Sequence, residues 1–574
     1  MTSKNAFARP LSAALLLLTI TCAACNPPDP STNGSDASQD MSDDMSPPSD
    51  MNPSPEDMPE DQDDSIPSLD MDMDTPDIVI IPDDMDDDMD MDEDDMTDMM
   101  IPSGDYPKPA QVTAGDASKI LLRGTILTAN GALDEGEVLV SGDTIACVDT
   151  DCSSHPDAAG ATTIETHGII SPGLIDSHNH LAYNFLPEWV PPAGETFTNR
   201  YQWADHPSYE KHIAPYANNR SSNSHFCPAA RWGELRSLLH GTTTIQGQSF
   251  ARTCTRGGVR NADQHHELDY YDHMRTSIGS VRDITDSDAD GYIEGFRAAT
   301  EPDTRFAVHM AEGYADDNIT EEFASFAGRD MRNNRHTGIS LLEDETAILI
   351  HSIALTDSEL QEAKMHNARI VWSPSSNMVL YGQTADINRI LELGITTGLG
   401  PDWTLSGEDD MLGELRYARD WALQNAAMRV TPLKLWEMAT MDGAKTVGLD
   451  AFIGELIPGQ VADITVFRRR NPTQDPYEQA ITSRAEDVRL VMIGGEVWNG
   501  DANLKDALAR ESNCDSFDAC GVEKFVCVPY TSGDDFQQLS DIEGALVDIM
   551  EGTGFPADEQ YGRGDELLPL VTCD

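Results

Sequence analysis

Between Gly173 and about residue 454, short apolar segments alternate with helical patterns, and this alternation constrains the fold more than any other feature. The segments that predict strands are TTTIQG, MRTSIGSV, RFAVHM, AILIHSI, ARIVWSP and ITTGLGPD. The helical patterns between them cover Pro228–His240, Gly291–Thr300, Asp357–His366 and Asp386–Leu393. Strands that alternate with helices in this way pair in parallel, and the number of repeats favours an eight-stranded (β/α)8 TIM-like barrel over residues 173–454.

Regions of a different pattern flank the predicted barrel. Residues 108–172 contain short alternating strands separated by Gly and Asp turns, and the same pattern returns at 455–500 in ADITVF and VRLVMIGGEVW. These α/β and β patterns together predict a barrel with a composite β-sandwich domain built from both flanks. Residues 501–574 form a cysteine-containing C-terminal extension, to which the sequence assigns no fold.

Two histidines, His178 and His180, stand directly after the first barrel strand in the stretch GIISPGLIDSHNH. On an extended backbone, residues i and i+2 point the same way, so both imidazoles would project toward one point. That arrangement suits two ligands of one divalent metal ion. For an isolated motif of this kind, a pair of surface histidines is the alternative interpretation.

Three further predicted strands end in side chains that could complete this site. His309 ends RFAVHM, His351 ends AILIHSI, and Asp402 follows ITTGLGP. The C-terminal ends of barrel strands converge on one face, and imidazole and carboxylate ligands suit Zn²⁺ or Fe²⁺. Glu312 lies three residues after His309, where it could serve as general base toward a metal-bound water.

At these positions the chain resembles the amidohydrolase superfamily, in particular its mononuclear deaminase and chlorohydrolase-like subgroup. The matching segments are PGLIDSHNH, HGTTT, HMAEG, IHSIALTDSEL, SPSSNMVL, GLGPDWTLSG and MATMDGAKTVGLDAFIGELIPGQVADITVF. The resemblance implies metal ligands at His178, His180, His309 and Asp402. It also implies that Glu312 carries protons, that His351 contacts the attacking water or the tetrahedral centre, and that Asp402 shares the proton transfer.

The expected fourth strand, RTSIGSVRDI, bears on the number of metal ions. Binuclear members of the superfamily carry a carboxylated lysine or a glutamate at the end of this strand, and the segment has neither. A single divalent metal is therefore predicted, with zinc as the first choice and iron as the second, although Asp283 lies just beyond the strand segment MRTSIGSV.

A long insertion, Leu181–Cys227, follows the first strand and contains Trp189, Tyr201, Trp203 and several histidines. Long loops on the catalytic face usually determine substrate choice, so these residues either line the pocket or pack in a small core of the insertion. Trp403, directly after Asp402, is expected to reshape the pocket floor.

The acidic run from Asp286 resembles a calcium loop, but Arg297 stands where the bidentate glutamate belongs, which favours a helix-capping loop.

Residues 1–25 are predicted to form an export signal of the bacterial lipoprotein type. Lys4 and Arg9 precede a short apolar run, and Cys25 follows Ala-Ala, although Cys22 departs from the usual leucine. Residues 26–107 hold 28 acidic side chains and no Lys or Arg, which predicts a disordered acidic tether. We therefore expect an exported protein of the cell envelope, held at the outer membrane or cell surface by a lipid on Cys25.

The net charge and the number of cysteines further limit the functions and the structures that the sequence allows. The net charge of −64 argues against nucleic-acid binding, because phosphates need a basic surface. An even number of cysteines after Cys25 predicts disulfides, with Cys147–Cys152 and Cys227–Cys254 as local pairs and the last four cysteines cross-linking the C-terminal region.

The sequence predicts an enzyme, a metal-dependent hydrolase that uses a metal-activated water on a C–N bond, not a peptide bond, of a small cyclic or aromatic compound. Deamination is the favoured reaction. Alternatives are a chlorohydrolase, a cyclic amidase, a dipeptidase-like enzyme, or a catalytically silent lipid-anchored binding protein on the same scaffold. The sequence leaves the oligomeric state open, and a homo-oligomer is compatible with it.

Overall fold

The protein is described from a computed structural model. The described residues are 107–189, 196–219, 223–247, 258–263, 274–275, 291, 305–314, 319–329, 340–342, 345–508, 514–528, 538–553 and 567–573. All of them lie in the second of two compact units, Thr97–Asp574. The predicted signal peptide with Cys25 and the tether up to residue 106 lie outside the described residues, as do nearly all of the calcium-like loop and of the predicted helix Gly291–Thr300.

The strands are numbered β1 to β18 in chain order. They are β1 Gln111–Thr113, β2 Asp116–Ile126, β3 Leu133–Ser141, β4 Thr144–Asp149, β5 Ala161–Pro172, β6 Leu174–Asp176, β7 Thr242–Ile245, β8 Arg260–Asn261, β9 Met274–Arg275, β10 Arg305–Met310, β11 Ala347–His351, β12 Arg369–Trp372, β13 Thr397–Leu399, β14 Ile464–Arg468, β15 Val488–Ile493, β16 Glu496–Asp501, β17 Cys514–Ala519 and β18 Val522–Cys527.

The α-helices follow the same chain order. They are Arg200–Trp203, Pro207–His212, Ala214–Asn219, Asn223–Leu239, Thr320–Phe326, Asp357–Met365, Pro374–Tyr381, Ile387–Glu392, Met411–Gln424, Pro432–Met438, Met441–Val447, Pro476–Ile481, Lys505–Leu508 and Leu539–Thr553. Short 3-10 helices are Pro156–Ala158, Leu181–Tyr183, Ala485–Asp487 and Ala502–Leu504.

Strands β6 to β13 form the barrel, and they pair in parallel in chain order. Strands β6 to β8 form one sheet and strands β9 to β13 another. The two sheets join where the amide of Met274 donates to the carbonyl of Asp263, 3.2 Å away. The barrel closes where the amide of Ser177, just after β6, donates to the carbonyl of Leu399 in β13 at 2.9 Å. The eight-stranded barrel predicted from the sequence is thereby confirmed.

The central barrel strands are apolar on both faces because both faces are covered. Along β10, Phe306 and Val308 pack into one hydrophobic cluster, whereas Ala307 belongs to another. In β11, Leu349 and Ile350 divide in the same way. Continuous apolar runs are typical of parallel strands that are buried between a barrel interior and outer helices.

The flanking β-domain is composite, as predicted. Strand β14, from the C-terminal flank, pairs antiparallel with β5 from the N-terminal flank, with Ile464 opposite Pro172. One sheet then runs in the order β17-β18-β16-β15-β14-β5-β2-β3-β4, with β1 paired to β5. The C-terminal extension, which had no predicted fold, therefore supplies two strands to this sheet.

Two of the differences between the described elements and the sequence prediction lie in the first half of the barrel. Strand β8 was not predicted, because Arg260 and Asn261 are polar and two residues offer no periodicity. The helix predicted to begin at Pro228 begins at Asn223 instead, with Pro228 inside it. Of the predicted fourth strand, only Arg275 is described, so the segment used to predict a single metal lies almost entirely outside the described residues.

All of the described cysteines form disulfide bonds. Cys147–Cys152 is present as predicted. The pairs Cys514–Cys527 and Cys520–Cys573 link the last four cysteines. Cys227 is also disulfide-bonded, while its predicted partner at position 254 lies outside the described residues. Within the part of the chain that is described, no helix combines the length and the apolar character needed to cross a bilayer.

Candidate metal-dependent active site

The predicted metal ligands lie together at the C-terminal end of the barrel. Their possible ligand atoms lie within 4.8 Å of one another, in a group formed by His178, His180, His309 and Asp402. The Nε2 atoms of His178 and His180 lie 3.2 Å and 3.3 Å from Oδ1 of Asp402. The structure therefore brings all four residues into one cluster.

Barrel closure places three of these residues beside one another. The amide of His180 donates to the carbonyl of Asp402 at 2.6 Å, and the amide of Asp402 donates to the carbonyl of His178 at 3.2 Å. Glycines permit this close approach. A Cβ atom at Gly400 would lie 2.6 Å from backbone atoms of His178, and one at Gly247, where φ is +105°, would lie 1.7 Å from the carbonyl oxygen of Asn179.

The ring of His178 is oriented by a hydrogen-bonded chain. Gln246, directly after β7, donates from Nε2 to Oδ1 of Asp263 at 3.0 Å, so its Oε1 faces Nδ1 of His178, also at 3.0 Å. Because this oxygen can only accept, Nδ1 of His178 carries the proton and the lone pair of Nε2 points at the cluster.

The same logic applies to His351. Asn377 donates from Nδ2 to Thr384 at 3.0 Å, and its Oδ1 lies 2.9 Å from Nδ1 of His351. The Nε2 atom of His351 then faces Glu312, whose Oε2 lies 3.8 Å away. His309, Glu312 and His351 accordingly form a second group of converging ligand atoms.

The Glu312 carboxylate is held by one strong hydrogen bond. The hydroxyl of Tyr381 donates to Oε1 of Glu312 at 2.6 Å, and Nε1 of Trp203 donates to the Tyr381 oxygen at 3.0 Å. Burial and the adjacent Glu312 charge raise the pKa of Tyr381 well above its ordinary value, so its hydroxyl stays a donor. The other carboxylate oxygen of Glu312 is left facing the cluster.

The arrangement fits a metal ion. Of the buried atoms that lack a hydrogen-bond partner among the described residues, four lie in this cluster: Nε2 of His178, Nε2 of His351, Oε2 of Glu312 and Oδ1 of Asp402. Buried polar atoms without partners are costly, and their clustering at one point indicates that something binds there. Nitrogen and carboxylate donors of this kind match a divalent transition metal.

The protonation states suit the same interpretation. Burial lowers the pKa of His309 well below its ordinary value, and the neighbouring His178 and His351 lower it further, so the ring is neutral. Burial alone would raise the pKa of Asp402, but the adjacent rings of His178 and His180 hold it well below the usual range. Neutral imidazoles and an ionised carboxylate are the forms that bind metals. The second carboxylate oxygen of Asp402 accepts from Ser376 at 2.7 Å.

The insertion forms part of the wall of a cavity over this cluster. The cavity has a volume of about 560 Å³ and is lined by His180, Tyr183, Arg200, Tyr201, Trp203, Ala204, Asp205, Tyr209, His309, Glu312, Asp402 and Trp403. The insertion serves both roles weighed from the sequence, because Tyr201 and Trp203 line the cavity whereas Trp189 is buried beneath. Trp403 also reaches the cavity, with its ring 5.3 Å from that of His180.

Sequence reasoning did not single out Gln246, Ser376, Asn377 or Tyr381. Gln246 is the last residue but one of TTTIQG, and a polar residue at a strand end was an available signal. Ser376 and Asn377 lie in SPSSNMVL, which was matched without roles being assigned to single residues. Tyr381 lies five residues from Ser376 on the same helix, and nothing in the sequence connects it with Glu312.

Comparison with known proteins identifies relatives. Residues 278–498 match the amidohydrolase family. The chain is 24% identical over 418 residues to a 5-methylthioadenosine/S-adenosylhomocysteine deaminase of Thermoanaerobacter pseudethanolicus, covering 65% of this chain and 91% of that protein. It is also 24% identical over 424 residues to a 5'-deoxyadenosine deaminase of Methanothermobacter thermautotrophicus, covering 68% of this chain and 95% of the relative.

A solved structure shares the fold. An adenosine deaminase from Xanthomonas campestris, solved with bound zinc, superposes with a TM-score of 0.51 at 16% identity. The superposition covers 75% of this chain and 98% of that protein. The family match, the relatives and the shared fold confirm the predicted resemblance to the amidohydrolase superfamily.

Proposed function

We propose that this protein is a metal-dependent hydrolase that deaminates a small heteroaromatic amine. The observation that carries the proposal is the convergence of four buried, unpartnered atoms from His178, His351, Glu312 and Asp402 under one cavity. The deaminase names of the relatives support the reaction type, and the aromatic lining of the cavity suits a planar ring.

The metal site in this proposal holds a single zinc ion. His178, His180, His309 and Asp402 would bind it, and the zinc in the Xanthomonas structure supports the choice of metal. When bound, a divalent metal supplies Lewis-acid activation of the attacking water. Metal analysis of purified full-length protein should find one zinc per chain, and two metals per chain would refute the single-metal assignment.

The protein's own residues carry the protons. Glu312, held through Oε1 by Tyr381, accepts a proton from the attacking water at Oε2 and delivers it to the leaving amine. His351 presents Nε2 to the same region and stabilises the tetrahedral centre. Asp402 accepts a hydrogen bond from Ser376 through Oδ2 and keeps Oδ1 for the reacting side of the site.

The test is the variant Glu312→Gln in zinc-loaded, full-length protein. A panel of heterocyclic amines is screened for ammonia release, with halide release followed in parallel for chlorinated rings. We expect a loss of at least about 100-fold in kcat with zinc content unchanged, because general acid–base catalysis contributes roughly that much. Glu345→Gln, an exposed residue before β11, is the matched control. Wild-type turnover by Glu312→Gln would refute the mechanism, and halide as the only product would replace deamination by dechlorination.

We also propose that the protein is exported and anchored by a lipid on Cys25. The support is the charged start, the short apolar run and the Ala-Ala-Cys junction of residues 1–25. The test is incorporation of labelled palmitate in a bacterial host. Cys25→Ser should lose the label and leave the membrane fraction, whereas Cys22→Ser should keep both. Equal labelling of the two variants would refute the assignment.

A further inference from the structure

One wall of the cavity is aromatic and continuous. The ring centroids of Tyr183 and Trp403 lie 5.6 Å apart, those of Trp203 and Trp403 5.4 Å apart, and those of Trp203 and Tyr209 5.3 Å apart. We call these four residues the aromatic wall. A planar ring that lies against this wall gains apolar burial and stacking contacts, but the wall alone does not discriminate between charged and neutral rings.

A partly buried cation lies beside the aromatic wall. Arg200 is the only Lys or Arg among the described residues that line the cavity, and its side chain is 13% exposed. Its backbone amide donates to the carbonyl of Glu312 at 3.2 Å, so the arginine begins next to the proposed proton carrier. In a chain with a net charge of −64, a partly buried arginine in the wall of the candidate active site needs an explanation.

Part of that explanation is an ion pair. Nη2 of Arg200 lies 3.1 Å from Oε1 of Glu322 and donates to the Tyr201 hydroxyl at 3.2 Å. Glu322 is fully buried and also accepts from the Tyr201 hydroxyl at 2.6 Å and from the amide of Ala311 at 2.7 Å. These contacts fix the direction of the guanidinium, because they engage one of its ends through several bonds.

The ion pair leaves donors of the guanidinium unused. Arginine has five N–H groups, and its Nε is buried with no hydrogen-bond partner among the described residues. Glu322, by contrast, has three donors on its two oxygens, so it does not need every N–H of Arg200. A guanidinium that is held at one end, has spare donors and belongs to a residue lining the cavity is suited to bind an oxyanion.

We propose that Arg200 is a specificity-determining residue that binds an oxyanion substituent of the substrate, a carboxylate or a phosphate, while the ring lies against the aromatic wall. The proposal rests on the proposed function only for the reaction that the bound substrate undergoes. The binding of the oxyanion by Arg200 does not depend on that reaction. A cationic substituent at this position is disfavoured, because it would face the Arg200 charge. Of the three carboxylates that line the cavity, Glu312 and Asp402 belong to the groups of converging ligand atoms, and Asp205 is exposed and screened by solvent.

The test measures binding and requires no turnover. Titration calorimetry on zinc-loaded full-length protein compares naphthalene-2-carboxylate and 2-naphthyl phosphate with neutral naphthalene-2-carboxamide. We expect at least one anion to bind roughly 10- to 100-fold more tightly than the amide, as for a hydrogen bond to a charged group. The stronger of the two anions identifies which oxyanion is preferred.

Variants separate specificity from structure. Arg200→Gln should abolish the preference and leave the affinity for the amide within about threefold of wild type, and Arg200→Lys should retain only part of the preference. Loss of amide binding in Arg200→Gln would show that Arg200 only supports the fold of the insertion, and would overturn the proposal. A preference that survives Arg200→Gln but disappears when zinc is removed would also overturn it, because the anion would then bind the metal.

The two proposals fail independently. If no heterocyclic amine releases ammonia but the preference depends on Arg200, deamination is refuted and the oxyanion site stands. If deamination is found but wild-type protein binds the anions and the amide equally, the oxyanion site is refuted and the reaction stands.

Discussion

Tyr381 is the test of whether the Glu312 carboxylate must be held in place. Its hydroxyl is the one hydrogen-bond donor found for this carboxylate among the described residues, at 2.6 Å. Tyr381→Phe removes that oxygen and preserves the ring, which is fully buried. The change leaves Oε1 of Glu312 without its donor and Nε1 of Trp203 without its acceptor.

The expected magnitude follows from these two bonds. A hydrogen bond to a charged group contributes about 1.5–3 kcal/mol, and this carboxylate must stay oriented throughout the reaction. Converted at 1.36 kcal/mol per decade, its loss lowers kcat/KM by about 10- to 150-fold. The unpaired Trp203 nitrogen is expected to lower the free energy of unfolding by about 1–2 kcal/mol.

The assay combines ammonia release, zinc content and urea unfolding. Tyr477→Phe is the control, since Tyr477 is also buried and donates to the carbonyl of Thr128 at 2.5 Å, outside the cavity. The control should lose stability without losing kcat/KM. If zinc-loaded, folded Tyr381→Phe kept kcat/KM within threefold of wild type, the hydrogen bond would not be what positions Glu312.

Three further outcomes are expected. Gln246→Leu removes the acceptor of the His178 ring, so zinc affinity should fall about 10- to 100-fold in competition with a chelator, and unchanged affinity would refute this orienting role. Burial lowers the pKa of Lys524 to about 8 from 10.5. At pH values between about 8 and 10.5, Lys524 is protonated in the unfolded state but neutral in the folded state. The free energy of unfolding should therefore rise by roughly 3 kcal/mol as the pH increases through this range, and urea unfolding of Lys524→Met should lack this rise. Replacing Cys520 and Cys573 by serine opens a loop of sequence separation 53 and should cost up to about 4 kcal/mol in urea unfolding, whereas no loss would show that the tail is held without the disulfide.

The barrel and its ligand residues could be predicted because their signals are local. A parallel strand such as β10 is apolar at its centre, and the residues at its C-terminal end lie at the C-terminal face of the barrel. His309 and Asp402 could therefore be placed without any knowledge of distant contacts. Strand β8 gave no such signal, because its position is determined by neighbouring strands and not by its own two residues.

The residues that hold the ligands could not be predicted in the same way. Gln246 acts on His178 from another strand, and Tyr381 acts on Glu312 from a helix 69 residues away. Each role depends on a distance in space that no periodicity encodes. Arg200 is the clearest case, since only the fold brings it next to Glu322, and its sequence neighbours show no pattern that suggests a binding residue.

The closing seam of the barrel has a consequence for how the protein matures. His178 and His180 lie at its first strand and Asp402 at its last, and their backbones bond only when these strands meet. A chain still missing its eighth strand would present three histidines without their carboxylate and without the backbone bonds that aim them. We therefore expect tight binding of the proposed metal ion to be a late event in folding, because its complete set of ligands comes together only when the barrel has closed.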